Sequence, residues 1–271
     1  MVVGLAWAGN ARFLAVVMDG PAAELAARHA LGPAASQRAA EALVAAALLS
    51  AHVKGEERLT LDIQSTSPPF SFVADVNGDG SVRARFRPSD VRDQSKFFGM
   101  VSATKSLFRE ELYRGISQVE GETIEGALQR FLRDSQQVDA FVRLGVGLGE
   151  SGDLEVATGL LVERLPDGDP EAFASFIAQL GLAELEALNE ALAFGQLGGL
   201  AVEVLGAIDL PFRCNCSIDR VRATLRSLGR DELAAMIAEQ GGAEVTCHFC
   251  NEAYRFDAEA VEAIRETIGE G

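Results

Sequence analysis

Two tight cysteine pairs constrain this chain more than any other feature. Cys214 and Cys216 form a C-x-C, and Cys247 and Cys250 form a C-x-x-C thirty-one residues later; the 271-residue chain has no other cysteine. Paired thiols at such spacing are the sequence form of a four-thiolate zinc site. Two residues between thiols let backbone N–H groups point at sulfur. One residue between them sets both sulfurs on the same side of an extended turn. The thiolates that hold zinc are also the groups an oxidant attacks. The same four atoms therefore read as a structural clip, a redox sensor, or both. His248 lies inside Cys247-His248-Phe249-Cys250, but four thiolates already fill a tetrahedron, so it reads as a loop histidine. His29 and His52 fall in helical stretches with no histidine or cysteine close by in sequence and read as ordinary structural residues.

Charge narrows the range of partners. Forty acids against 24 bases leave a formal net charge of −16. Such a chain is repelled by nucleic acid and by anionic membranes unless a local patch reverses the sign. No basic stretch precedes a long apolar run near the N-terminus, and no stretch of about 18 or more apolar residues reads as a spanning helix. The expectation is a cytoplasmic protein. In a reducing cytosol, paired cysteines favour metal over permanent disulfides.

The chain divides into three parts by pattern: 1–165, 166–211 and 212–271. In the first, strand and helix signals alternate. Gly9-Asn10 joins two apolar runs as a hairpin turn. Alanine-rich Pro21–Ala30 and Pro33–Ala51 read as helices. Leu59, Leu61 and Ile63 alternate as on a half-buried strand, and Asn77-Gly78-Asp79-Gly80 turns between Phe70–Val76 and Val82–Phe86. Thr123–Arg133 reads as an amphipathic helix, with strands at Val138–Val146 and Glu155–Glu163. The predicted fold class is α+β: an N-terminal sheet-and-helix core, a helical linker and a small C-terminal zinc module.

The linker is unusual in its chemistry. Residues 166–210 hold eight acids, no base and six glycines. Phe173, Phe176, Ile177 and Leu180 mark one amphipathic helix, and Leu182, Leu185, Leu188 and Leu192 a second. Acid repulsion and glycine, at about 1 kcal/mol per helical site, make such helices weak in isolation. Their apolar faces predict helices that hold only while packed on something else. Residues 81–114 carry eight bases against four acids, with Arg83, Arg85 and Arg87 alternating on one strand face. Charge alone predicts that the acidic linker docks there. In the last part, Ser217 and Asp257 read as helix caps and Gly241-Gly242 as a break. Some sixty residues bury too little to be safely stable alone, so a metal would belong to the fold.

No G-x-x-x-x-G-K-[ST] loop, G-x-S-x-G elbow or H-E-x-x-H occurs, so no enzymatic site is expected. Phe212-Arg213-Cys214-Asn215-Cys216-Ser217, then Asp231-Glu232-Leu233, then Cys247-His248-Phe249-Cys250-Asn251 resemble the C-terminal redox module of the heat-shock-protein-33 family of chaperones. Leu112-Tyr113-Arg114-Gly115-Ile116, Glu122 to Phe131, Ser135-Gln136-Gln137 and Leu165-Pro166 are similar to landmarks of that family's core. The chain departs from the family pattern at Thr158-Gly159, where Gly-Gly is usual, and at Gln136, where Glu is usual.

The resemblance implies an ATP-independent holdase. Reduced, it would hold one zinc ion on Cys214, Cys216, Cys247 and Cys250 and be inactive. Oxidised, it would form two disulfides, lose zinc, unfold its C-terminal module and bind unfolding client proteins, with a homodimer among its activated forms. Four cysteines allow three connectivities, and sequence alone does not choose. The resemblance, together with proximity along the chain, favours Cys214–Cys216 and Cys247–Cys250. Two other functions fit a paired-cysteine chain. One is a zinc-ribbon nucleic-acid or ribosome-binding protein, which seven bases against eleven acids in 212–271 argue against. The other is a thiol–disulfide oxidoreductase, whose C-x-x-C belongs at a helix start after a strand.

Overall fold

The computed structural model describes residues 1–6, 10–180, 196–197 and 200–268. It divides into two compact units, Met1–Arg213 and Cys214–Gly271. In the first unit the strands are β1 (Val2–Ala6), β2 (Ala11–Val17), β3 (Glu57–Ser67), β4 (Pro69–Asn77), β5 (Val82–Arg87), β6 (Phe97–Leu107), β7 (Glu110–Glu122), β8 (Ala140–Leu148), β9 (Leu154–Arg164), β10 (Gln196–Leu197), β11 (Leu200–Ala201) and β12 (Glu203–Ala207). The helices are α1 (Asp19–Arg28), α2 (Pro33–Leu49), α3 (Ile124–Asp134) and α4 (Pro170–Leu180). The fold class is α+β, as expected.

Two five-stranded sheets enclose a layer of helices. One sheet runs β12-β1-β2-β9-β8, the other β5-β4-β3-β6-β7, and β10 pairs with β11 in a small separate ribbon. Helix α2 packs on β9, β8 and β2 on one side and on β4, β3 and β5 on the other, with α1 and α3 beside it. Its sequence explains the position. Thirteen of its 17 residues are buried, most of them alanine, leucine or valine, and a helix buried on nearly every side lies between layers rather than on a surface. Alanine dominates because two sheets close on this helix and larger side chains would push them apart. Gly159 on β9 answers the same constraint: an added Cβ would sit 2.4 Å from Val44 of α2.

Strand β2 carries the first sheet's second function. Leu14, Val16 and Met18 point into the core around α2, while Ala11, Phe13 and Ala15 belong to a second cluster with Leu160, Val162, Phe176 and Leu180. The run Phe13-Leu14-Ala15-Val16 is apolar without alternation because both faces of its sheet are covered. The cover on the outer face is α4. Phe176 is fully buried at its centre, with Phe173 and Ile177 packed at the margin.

This corrects the charge-based expectation for the linker. Described residues of the acidic segment cover the apolar outer face of β2 and β9, not the face bearing Arg83, Arg85 and Arg87. Arg83 instead donates to buried Asp75 through Nε and Nη2, at 2.9 and 2.6 Å, and Thr60 donates to the same carboxylate at 2.6 Å. Residues near the end of the segment do meet β5, but by main chain: Val82 N–H donates to Pro211 and Arg213 N–H to Val82. Apolar burial, at about 25 cal/mol per Å², outweighs exposed charge pairing worth about 0–1 kcal/mol per pair. The segment is also not wholly helical, since β12 joins the first sheet as an edge strand antiparallel to β1. The helix expected around Leu182 to Leu192, with Glu184, Glu186 and Glu190, lies outside the described residues.

The hairpin of β6 and β7 had no sequence prediction, and its side chains show why. Its buried face mixes Val101 and Val119 with small or polar Ala103, Gly115 and Ser117. Its solvent face exposes Phe98, Met100 and Ile116 at 50, 52 and 54%. Apolar side chains lie on both faces, so the period-2 signal is blurred.

Truncating Phe176 to alanine should remove the centre of the α4 contact. Fully buried Phe→Ala changes cost about 3–5 kcal/mol. Hydrogen exchange at 170–180 should rise steeply while β6 amides keep their protection. Unchanged exchange in α4 would show that the Phe176 contact does not hold the helix down.

Candidate metal centre

The second unit is built on β13 (Gly242–Thr246) and β14 (Ala253–Asp257), with α5 (Ile218–Arg226), α6 (Arg230–Gln240) and α7 (Ala258–Glu266) around them. Its core is only Val221, Leu225, Leu233, Ala243, Phe256, Val261 and Ile264. Both expected caps are present: the Ser217 side chain accepts from Arg220 N–H and that of Asp257 from Ala260 N–H. Gly241 ends α6 in the left-handed conformation at φ 69°, which glycine adopts without a Cβ clash.

These elements bring the two cysteine pairs together. Cys214 and Cys216 lie on the extended stretch that leads into the α5 cap. Cys247 and Cys250 occupy the tip of the β13–β14 hairpin, closed by Cys247 N–H to Glu252 and Asn251 N–H to Cys247 carbonyls at 2.8 and 2.9 Å. Asn251 takes the left-handed conformation that this turn demands, at φ 58°, and asparagine tolerates it better than most residues. The C-x-x-C thus sits between two strands, not at a helix start.

All four sulfurs lie within 4.8 Å of one another. The cross-pair separations are 3.7 Å for Cys214–Cys247 and 3.3 Å for Cys216–Cys250. A tetrahedron with metal–sulfur bonds of about 2.3 Å has edges of about 3.8 Å, so the donor set is of the right chemistry and close to the right size for a thiolate-bound metal ion. Backbone N–H groups are aimed at sulfur: Cys216 N–H at Cys214, Phe249 and Cys250 N–H at Cys247, and Glu252 N–H at Cys250. Such donors stabilise thiolate, the form that binds metal. Tyr254 adds a side-chain donor, its hydroxyl 3.1 Å from Cys216 Sγ.

The thiols differ in how readily they ionise. Burial pushes the thiols of Cys214 and Cys250 up. Burial also pushes Cys247 up, but the N–H groups of Cys250 and Phe249 and the contacts to Cys250 and Cys214 more than offset it, leaving that thiol below its ordinary value. Four negative charges this close repel one another strongly. A dication removes the conflict by deprotonating the thiols outright. The arrangement can therefore do two things: hold a cation as four thiolates, or lose electrons as disulfides.

A layered α+β core joined to a unit organised around four thiols defines a two-part protein, one part large and packed, the other dependent on its cysteines. Residues 1–257 match the family model described as Hsp33 protein. The chain is 31% identical to the 33 kDa chaperonin of Bacillus licheniformis, over 99% of each. It is 30% identical to the 33 kDa chaperonin of Bacillus subtilis, over 98% of each. The solved structure of the 33 kDa chaperonin (heat shock protein 33 homolog) of Thermotoga maritima shares the fold, with a TM-score of 0.83 and 23% identity, across 97% of this chain and 96% of that one. This chain belongs to the Hsp33 family. Among the described residues no helix is long and apolar enough to cross a membrane.

If the four sulfurs act as one ligand set, replacing Cys247 and Cys250 together by serine should abolish stoichiometric metal binding rather than halve it. Elemental analysis of the reduced, purified variant checks this. Metal retained at one equivalent would place the ion elsewhere.

Proposed function

We propose that this protein is a redox-regulated holdase that binds unfolding proteins without ATP and acts by binding rather than catalysis. The observation that carries the reading is the cluster of four thiols within 4.8 Å in a unit whose own apolar core is small. In the resting state Cys214, Cys216, Cys247 and Cys250 hold one zinc ion, for which an all-thiolate tetrahedral set is suited. Zinc supplies a positive charge that keeps four thiolates together and cross-links the two ends of the module. A reducing cytoplasm keeps the thiols available for it.

Oxidation by a peroxide converts the cluster to disulfides. A thiolate attacks one peroxide oxygen, gives a sulfenic acid and releases hydroxide. A second thiolate then attacks the sulfenic sulfur, gives the disulfide and releases a second hydroxide. We assign the pairs as Cys214–Cys216 and Cys247–Cys250. An extended i to i+2 span of about 6.5–7 Å exceeds most disulfide Cα separations, about 4.4–6.8 Å. The C-x-C bridge therefore bends the backbone, which suits a labile bond. Disulfides cannot replace the cross-link between the pairs, so the module loses its organising centre and unfolds.

Segment 166–211, next along the chain, is the element that responds. Its hold rests on the apolar face of α4, while its acids repel one another. Once loosened, it offers its own apolar side chains and uncovers Phe13, Leu160 and Val162. Exposed Phe98, Met100 and Ile116 already present apolar surface on the second sheet. Unfolding chains bind such surfaces by burying their own apolar groups. Activated copies use the same surfaces to pair as a homodimer.

One experiment tests the reading as a whole. Bound zinc and suppression of client aggregation are measured on the same sample before and after peroxide at raised temperature. Zinc should leave as holdase activity appears. Full activity with zinc still bound, or zinc loss without activity, would refute the switch. Stripping zinc with a strong chelator should unfold 214–271 and leave the core folded, since zinc-coupled folding is worth about 10–16 kcal/mol in small modules. Circular dichroism and limited proteolysis would detect this; a module that stays folded without metal would contradict it.

A further inference from the structure

The four sulfurs differ in what holds them. Cys214, Cys247 and Cys250 take main-chain N–H groups, which do not depend on the identity of a side chain. Cys216 takes the Tyr254 hydroxyl at 3.1 Å. Tyr254 is placed for this by the fold. It lies on β14, paired with Val245 of β13, and its ring packs against the small core of the unit. With its ring half-buried there and its β14 main chain in register, the hydroxyl is aimed at Cys216.

We propose that Tyr254 is a positioning residue of the redox switch: its hydroxyl holds Cys216 Sγ in ligand geometry and lowers the nucleophilicity of that thiolate, setting the oxidant dose at which the cluster opens. The inference rests on the redox-switch reading above and adds which sulfur is guarded and by what. A hydrogen bond donated to a thiolate spreads its charge onto the donor, so the sulfur is a weaker base and a slower nucleophile. When Cys216 attacks a peroxide, the bond formed is sulfur to oxygen, the bond broken is oxygen to oxygen, and hydroxide leaves. The electron pair that makes the new bond is the one Tyr254 engages. Removing the hydroxyl frees it. Guarding Cys216 matters more than guarding a hairpin-tip sulfur, because Cys216 belongs to the C-x-C, whose closure to a disulfide demands the larger backbone bend.

The test compares the zinc-loaded full chain with Tyr254→Phe, which keeps the ring and deletes only the hydroxyl. Loss of an outer-shell partner typically lowers metal affinity about 10–100-fold, and competition with a chromophoric chelator should show a drop at the lower end of that range. A tenfold rise in thiolate basicity, on a Brønsted slope of ~0.4–0.5, speeds attack on peroxide about 3-fold. Zinc release under hydrogen peroxide should accelerate by at least that factor. With cobalt(II) in place of zinc, the thiolate-to-metal charge-transfer band should move to lower energy in the variant, a change that altered packing alone does not produce. Fluorotyrosine at position 254, a stronger donor in the same shape, should slow release below the parent rate, and it decides the matter if the phenylalanine variant is unstable. Equal release rates and an unmoved cobalt band would overturn the role of Tyr254 while leaving the switch standing. A parent protein that binds no zinc, or keeps it under peroxide, would overturn both.

Discussion

Four sulfurs within 4.8 Å of one another form the constraint on which the smaller unit turns. As thiolates they repel; as buried thiols they satisfy little. Only a cation or covalent bonds between them settle the conflict. The unit around them buries few apolar side chains, too few to dominate its stability. Its fold is therefore tied to the chemical state of its cysteines far more tightly than a larger domain would allow. In the proposed switch, a metal-held cluster would organise the hairpin tip and the α5 entrance as one object, and within-pair disulfides would leave two separate loops.

The larger unit is constrained differently. Its alanine-rich central helix is wrapped by two sheets, and β2 is apolar on both faces. That second face must be covered by something, and the chain covers it with α4, a helix taken from a segment that carries eight acids and no base. Among the described residues, α4 is held on the sheet through its apolar face. The sheet and core helices need no such cover to keep their own hydrogen bonds and central packing.

Much of this was readable from residues. The cysteine spacing singled out the four thiols that the fold brings within 4.8 Å of one another. The Ser217 and Asp257 caps, the alanine-rich helix and the strands at Leu59–Ile63 and Val138–Val146 follow from local patterns that tertiary contacts reinforce. Other features were hidden for physical reasons. On β6 and β7, apolar residues lie on both faces, Val101 and Val119 inward and Phe98, Met100 and Ile116 toward water, so the usual alternation is blurred. Strand β12 is exposed along its length and pairs with β1 through backbone hydrogen bonds at the sheet edge, so it shows no alternation of buried and exposed side chains. The linker's docking face was misjudged because charge counts suggest attraction, whereas burial of Phe176 against Phe13 and Leu160 decides the position. Tyr254 gave no sequence signal at all: its link to Cys216 spans 38 residues and depends on hairpin register.

The central claim is that the chemical state of four cysteines controls whether α4 stays on the sheet. Hydrogen exchange measures this directly, since local opening raises exchange only in the segment that opens. The comparison is between the reduced, zinc-loaded protein and the same protein after peroxide at raised temperature. The account predicts that protection is lost across 170–180 and throughout 214–268, while α2 and β9 exchange as before. Equal protection of 170–180 in the two states would contradict it.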